Sequence, residues 1–213
     1  MTPHIIAVTH LKGGTGKTTS VAYLAHAFVQ LSRRVLVVDA DPQRSATDWA
    51  EMAEWSIPTV FLPTKQLHRR LRGLPGWSTY DVVLIDTPPQ YPQEGEDPDA
   101  APPPGIVHSA LKAADHIVVP MAPTTMELSR VRATLKAIEN AGHPPGDVRF
   151  LLNRKVNRAD STDAIRAVIV DGGSQVFQNE IKRLEVIAQG MGEPLPKQLH
   201  GYLSAAMELE KMK

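Results

Sequence analysis

Residues 11–20 read LKGGTGKTTS, three glycines held between two lysines and followed by a pair of threonines. An apolar run, His4–Thr9, leads into this stretch. Beyond it Val21, Leu24, Ala25, Phe28 and Leu31 recur at the spacing of one helix face. The three pieces make a strand, a tight turn and a helix, and the turn has little freedom. Glycines let backbone N–H groups turn inward around an anion, and the helix N-terminus behind them adds positive potential. A glycine turn that only joined strand to helix would explain the glycines. It would leave Lys12, Lys17 and the Lys17-Thr18-Thr19 opening of the helix without a purpose.

Four further apolar runs repeat the first: Val35–Asp39, Tyr80–Asp86, Asp115–Pro120 and Val148–Asn153. Segments of helical character fall between them, at about Ser45–Trp55, Lys65–Arg72, Gly105–Ala113, Met126–Ala141 and Ser161–Asp171. Apolar strands alternating with amphipathic helices predict an α/β fold, a single domain over 1–213 with a parallel sheet covered on both faces. Gln90–Gly105 interrupts the order with five prolines, four acids and no basic residue. Proline opposes helix and acids oppose burial, so a mobile loop is expected there. A tolerated surface insertion and a regulatory or partner-binding segment both fit it.

Composition narrows the chemistry. The 213 residues contain no cysteine, which excludes disulfides, thiol nucleophiles, Cys-ligated zinc and iron–sulfur clusters. No apolar run approaches the ~18 residues of a membrane span, and MTPHIIAVTH has no signal-peptide character, so a cytoplasmic chain is expected. Twenty-three basic residues balance 23 acids, so any nucleic-acid contact must come from local patches.

The ordinary phosphate-loop pattern, G-x-x-x-x-G-K-[ST], fits Gly16-Lys17-Thr18 but would need glycine where Leu11 stands. KGGTGKTT instead resembles the deviant Walker A loop of the ParA/MinD group of phosphate-loop ATPases. The resemblance covers roughly the first 155 residues. It implies ATP and Mg²⁺ as ligands, with Lys12, Gly13, Gly14, Thr15, Gly16, Lys17, Thr18 and Thr19 around the phosphates. It also implies that Lys12 reaches across an ATP-dependent homodimer to the partner's nucleotide and supplies charge in trans, as an arginine finger does.

Acids at the carboxyl ends of parallel strands point into the crevice where ligands bind. In VLVVDADPQRS, Asp39 and Asp41 share one side of an extended chain. The resemblance makes this stretch switch I, with Asp41 positioning the attacking water and Asp39 helping to hold the magnesium shell. Taken alone, Asp41-Pro42 also reads as a helix cap. Asp86 closes YDVVLID, a Walker B pattern, and is expected on magnesium with Thr18, since hard cations take oxygen ligands. Thr87-Pro88-Pro89 would be switch II. Asn153-Arg154 follows the VRFLLN strand, where relatives place an asparagine on the adenine edge; Asn is also a common turn former. No guanine-recognition NKxD occurs, so ATP is favoured over GTP.

Basic residues cluster at Lys65–Arg72, at Arg149, Arg154, Lys155 and Arg158, and at Lys182-Arg183. Each is explained by a solvated surface. The resemblance adds nonspecific DNA binding by the ATP dimer, for which Arg69, Arg70, Arg72, Lys182 and Arg183 are candidates, and a nucleoid-associated location. It also adds a ParB-like partner that stimulates hydrolysis. The C-terminal segment Leu199–Lys213 is a mixed-charge amphipathic helix without Phe or Trp, unlike a membrane-targeting helix, so no membrane partner is expected. The expected function is an ATPase that partitions plasmid or chromosomal DNA, with the positioning of a protein complex as the alternative cargo.

Overall fold

The computed structural model describes residues 2–90, 105–155 and 159–212. Seven strands form one parallel sheet: β1 (His4–Val8), β2 (Val35–Asp39), β3 (Thr59–Phe61), β4 (Val82–Asp86), β5 (His116–Met121), β6 (Val148–Leu152) and β7 (Gln175–Val176). Their order is β3-β2-β4-β1-β5-β6-β7. The chain leaves β1 toward one side and fills the other only from β5 onward. That reversal puts a crevice at the carboxyl end of β1, where ligands bind in open sheets of this type.

The eight helices of the described residues are α1 (Lys17–Gln30), α2 (Ser45–Met52), α3 (Leu67–Arg70), α4 (Ile106–Ala113), α5 (Thr125–Asn140), α6 (Ala159–Asp171), α7 (Glu185–Ala188) and α8 (Tyr202–Glu210). Alternate residues of the strands feed two cores, because successive side chains point to opposite faces. Ile5, Ala7, Leu36, Val38, Val83, Ile85, Ile117 and Val119 face Leu67, Ile106, Val131, Ile138 and Ile165 of α3–α6. Ile6, Val8, Val35, Val37, Val82, Leu84 and Val118 face α1, α2 and α8, including Phe28, Trp49, Ala205 and Leu209. The expected sheet with helices on both faces is what forms.

The differences lie in short elements. Two to four residues carry no period, so β3, β7 and α7 have no signature in the sequence. Helix α3 ends at Arg70 and continues as a 3₁₀ turn, Leu71–Gly73. The C-terminal helix has one face, Tyr202, Ala205, Ala206 and Leu209, buried against the sheet core beside α1. Most of the expected loop at Gln90–Gly105, and Arg158, lie outside the described residues.

Candidate nucleotide site

The carboxyl ends of β1, β2 and β4 set the acids. Strand register pairs Val8 with Asp86 and Asp39 with Asp86, so both carboxylates lie at one level of the sheet edge. Asp41 follows two residues beyond β2. All three are buried.

The glycine loop closes over this edge. Gly14 and Gly16 have φ of 70° and 90°, a region open to glycine and costly to other residues. At Gly16 a Cβ would also come within 2.9 Å of Asn153 Nδ2. Gly16 is the N-cap of α1 and offers no capping side chain, and the first turn holds no acid. The first N–H groups of the helix are therefore left for an anion. Thr15 Oγ1 is buried without a hydrogen-bond partner among the described residues. Lys17 is buried, and its ammonium donates to the Lys12 carbonyl at 3.3 Å. Burial lowers its pKa, against the opposing pull of Asp86 and Asp41. A buried amine destabilised in its charged form gains most from an arriving polyanion.

The acids differ in how they are satisfied. Asp39 Oδ1 accepts from the Asp41 backbone at 3.0 Å, and Oδ2 accepts from the Thr47 backbone and hydroxyl, both at 2.8 Å. Both oxygens are engaged, so Asp39 ties the Asp41 loop to the first turn of α2. Asp39 also lies near enough to Asp86 to raise that carboxyl's pKa, in the neighbourhood of the expected magnesium shell. Asp41 Oδ1 accepts from Gln43 N at 3.0 Å, a local turn that orients its carboxylate. Asp86 is the contrast. Neither of its oxygens has a hydrogen bond of normal geometry among the described residues, although the Thr18 hydroxyl lies close enough to lower its pKa. Burial, and then Asp39, hold the Asp86 carboxyl far above the usual range. A buried carboxylate without full hydrogen bonding beside a hydroxyl suits a hydrated Mg²⁺, which takes one or two protein oxygens and keeps its waters.

Beside the loop lies a cleft of about 490 Å³ lined in part by Gly16, Thr19, Asn153, Arg154, Lys182 and Arg183. Asn153 Nδ2 donates to the Thr15 carbonyl at 2.8 Å, whereas its Oδ1 is buried and unpartnered among the described residues. One end of the amide thus fixes the phosphate loop, and the other is an acceptor available to an exocyclic amine such as that of adenine. Arg154 is held at a φ of 53° at the cleft wall. Lys182 bridges to Lys155, and Arg183 N donates to the Lys155 carbonyl at 3.2 Å. This places Lys182 and Arg183 in the nucleotide cleft, apart from the α3 arginines.

Arg69, Arg70 and Arg72 are exposed on α3 and the turn after it. Lys65, His108 and Lys112 from the same neighbourhood are exposed as well. His68 there has a pKa lowered by burial and then by Arg69, Lys112 and His108. In the second cluster, Arg149 pairs with Glu208 at 3.1 Å and Lys155 pairs with Glu180.

Two site residues had gone unread. His10 is buried at the loop entrance, and its Nδ1 accepts from Lys12 N at 3.1 Å. Burial, and then Lys17, press its pKa down to about 4, so the ring is neutral. Glu127, in the first turn of α5, receives the Lys12 ammonium at 2.6 Å. A Thr124-x-x-Glu127 spacing was its only visible signal.

The family model for the CobQ/CobB/MinD/ParA nucleotide binding domain matches residues 6–195, and the chain belongs to this family. It is 33% identical over 165 residues to maintenance of carboxysome distribution protein A from Gloeobacter kilaueensis, covering 78% of this chain and 69% of that protein. It is 31% identical over 163 residues to the chromosome-partitioning ATPase Soj of Thermus thermophilus, covering 63% of this chain and 61% of that one. Among solved structures, the Cyanothece McdA–ATP complex aligns with a TM-score of 0.72 at 18% identity, over 100% of this chain and 98% of that chain. At that identity the last likeness speaks for the fold.

Proposed function

We propose that this chain is a Mg²⁺-dependent ATPase that dimerises around ATP and positions a large protein assembly in the cell. The site supports the chemistry. The α1 N-terminus and Lys17 bind the phosphates, Asn153 accepts from the adenine amine, and Thr18 and Asp86 hold the metal. Bound Mg²⁺ would neutralise the charge that develops on the phosphates. Asp39 fixes the loop from which Asp41 orients the attacking water, and would help to hold the magnesium shell beside Asp86. Lys12 is the residue for the facing protomer's nucleotide. Turnover by the isolated protein should be slow, because much of the barrier in this class is lowered only when a partner completes the site.

The likeness to carboxysome distribution protein A, which spans more of this chain than the Soj match does, carries the choice of cargo. It moves the weight from DNA cargo, the main expectation from sequence, to protein cargo. Partition of DNA is the second reading, favoured by the Soj relative and by the exposed basic face at Arg69, Arg70 and Arg72. Either reading accommodates nonspecific DNA as a surface to move on, and a small activating partner. Deleting the gene in its native cell tests the choice. The expected result is loss of regular spacing of a protein assembly with replicon inheritance intact. Random replicon loss with undisturbed assemblies would establish the second reading. Chemistry is tested by Asp41→Ala, expected to keep ATP binding and lose hydrolysis; equal turnover would remove Asp41 from the mechanism.

A further inference from the structure

Helix α5 opens with Thr124-Thr125-Met126-Glu127, the spacing of a capping box. Half of that box forms, since the Thr124 hydroxyl accepts from Glu127 N at 3.2 Å. The reciprocal half does not. Thr124 N donates instead to the Ala122 carbonyl at 2.8 Å, which releases the Glu127 carboxylate from its usual return to the N-cap. That carboxylate is turned to the phosphate loop, where Oε1 receives Lys12 Nζ at 2.6 Å. Glu127 is mostly buried, and its Oε2 has no partner among the described residues. A second cation waits beside the pair: Arg130, one turn along α5, lies 3.6 Å from Oε1, beyond hydrogen-bond range, with its side chain half exposed. The same helix also grips the loop backbone, since Thr134 Oγ1 accepts from Leu11 N at 3.2 Å.

Lys12 is thus held against its own protomer. The Lys12 side chain is 42% exposed and Glu127 is the mostly buried member of the pair, so departure of Lys12 strands a carboxylate, and that cost opposes the lysine's movement away. Arg130 cancels most of it, because the guanidinium needs to move by under an ångström to take the vacated oxygen. We infer that Glu127 is a positioning residue that holds Lys12 in cis, and that Arg130 takes over the carboxylate when Lys12 leaves for a phosphate on a facing protomer. The exchange leaves Glu127 hydrogen-bonded to one cation throughout, so the lysine is retained without nucleotide and released cheaply with it. This gating rests on the proposed ATP dimer. The ion pair itself does not.

Two measurements on the full chain separate the layers. Acylation of Lys12 by an amine-reactive ester, followed by mass spectrometry without nucleotide, reads the pair in the monomer. Glu127→Gln, which keeps the shape and the helix position, should raise the rate several-fold over wild type. An unchanged rate overturns the proposal. Light scattering against protein concentration, with a non-hydrolysable ATP analogue, then reads the gating. Glu127→Gln should strengthen the dimer about tenfold, Arg130→Ala should weaken it by a similar factor, and Lys12→Ala should weaken it most. With Lys12→Ala in place, Glu127→Gln should add nothing. If Lys12→Ala weakens the dimer and Glu127→Gln fails to strengthen it, the gating is wrong and the dimer stands. If Lys12→Ala leaves the dimer unchanged, the dimer reading fails and the gating with it, while the acylation result still reports the pair.

Discussion

The two ends of the sheet handle buried polar groups in opposite ways. At the amino ends of the strands most partners are supplied, with Arg149 Nε an exception, buried without a hydrogen-bond partner among the described residues. Asp115 Oδ2 accepts from Ile5 N at 2.8 Å, His4 Nε2 and His116 Nδ1 share a hydrogen bond of 2.8 Å, and His143 joins the Leu111 carbonyl at 2.8 Å and Asp147 at 3.1 Å. At the carboxyl ends, Asp86, Thr15 Oγ1 and Asn153 Oδ1 are buried with acceptors left over, and Lys17 is buried with a lowered pKa. An unsatisfied buried polar group costs about 1–3 kcal/mol. One end therefore contributes stability, and the other carries a cost that a bound ligand removes.

Lys17→Ala is the sharpest way to break this contrast. Nucleotide affinity should fall by two orders of magnitude or more in a calorimetric titration. The melting temperature without nucleotide should stay the same or rise, because a strained buried amine has been removed. A fall in both would mean that Lys17 is an ordinary structural residue.

The next effect is on pH dependence. Asp86 has its folded pKa raised above the unfolded value, so the folded state holds the proton more tightly. Its contribution to stability is present in acid and is lost as pH rises from about 4 through the raised value. Asp86→Asn should raise the nucleotide-free melting temperature near pH 7.5 by several degrees and flatten that decline. An unaltered profile would show that the carboxylate is satisfied in solution.

Smaller and opposite in sign is the effect at the amino end. Burial lowers the pKa of His116, so the folded state favours the neutral ring. Its contribution is present above about pH 6.5 and lost as pH falls below it. His116→Gln should reduce acid sensitivity between pH 6.5 and 5, at a cost on the order of 1 kcal/mol at neutral pH from the lost pairing with His4. ATP affinity should be unchanged; a change there would show that the two ends are coupled.

The sequence made the site legible wherever residues next to one another do the work. The strand–loop–helix from His4 to Gln30, and the acids that end β2 and β4, are local patterns, and a parallel sheet places strand ends together by its own geometry. Type and position made Asp39 a candidate to help hold the magnesium shell, and neither gives any sign of its tie to α2. Only the packing of α2 brings Thr47 to it. Lys182 and Arg183 stood in the sequence both as the basic pair of a loop resembling the family's nucleotide-side loop and as DNA-contact candidates, and the β-bridge from Lys182 to Lys155 puts them on the cleft wall. Glu127 lies 115 positions from Lys12, and no periodicity spans such a distance.

By itself the sequence determined the longer elements, because period and glycine placement act over a few residues, and it determined that a phosphate loop faces carboxylates. Tertiary structure decided which of those charges are satisfied and which are left for a ligand. Hydrogen-bond satisfaction depends on distances between elements remote in the chain, set only once the two cores on either side of the sheet have closed.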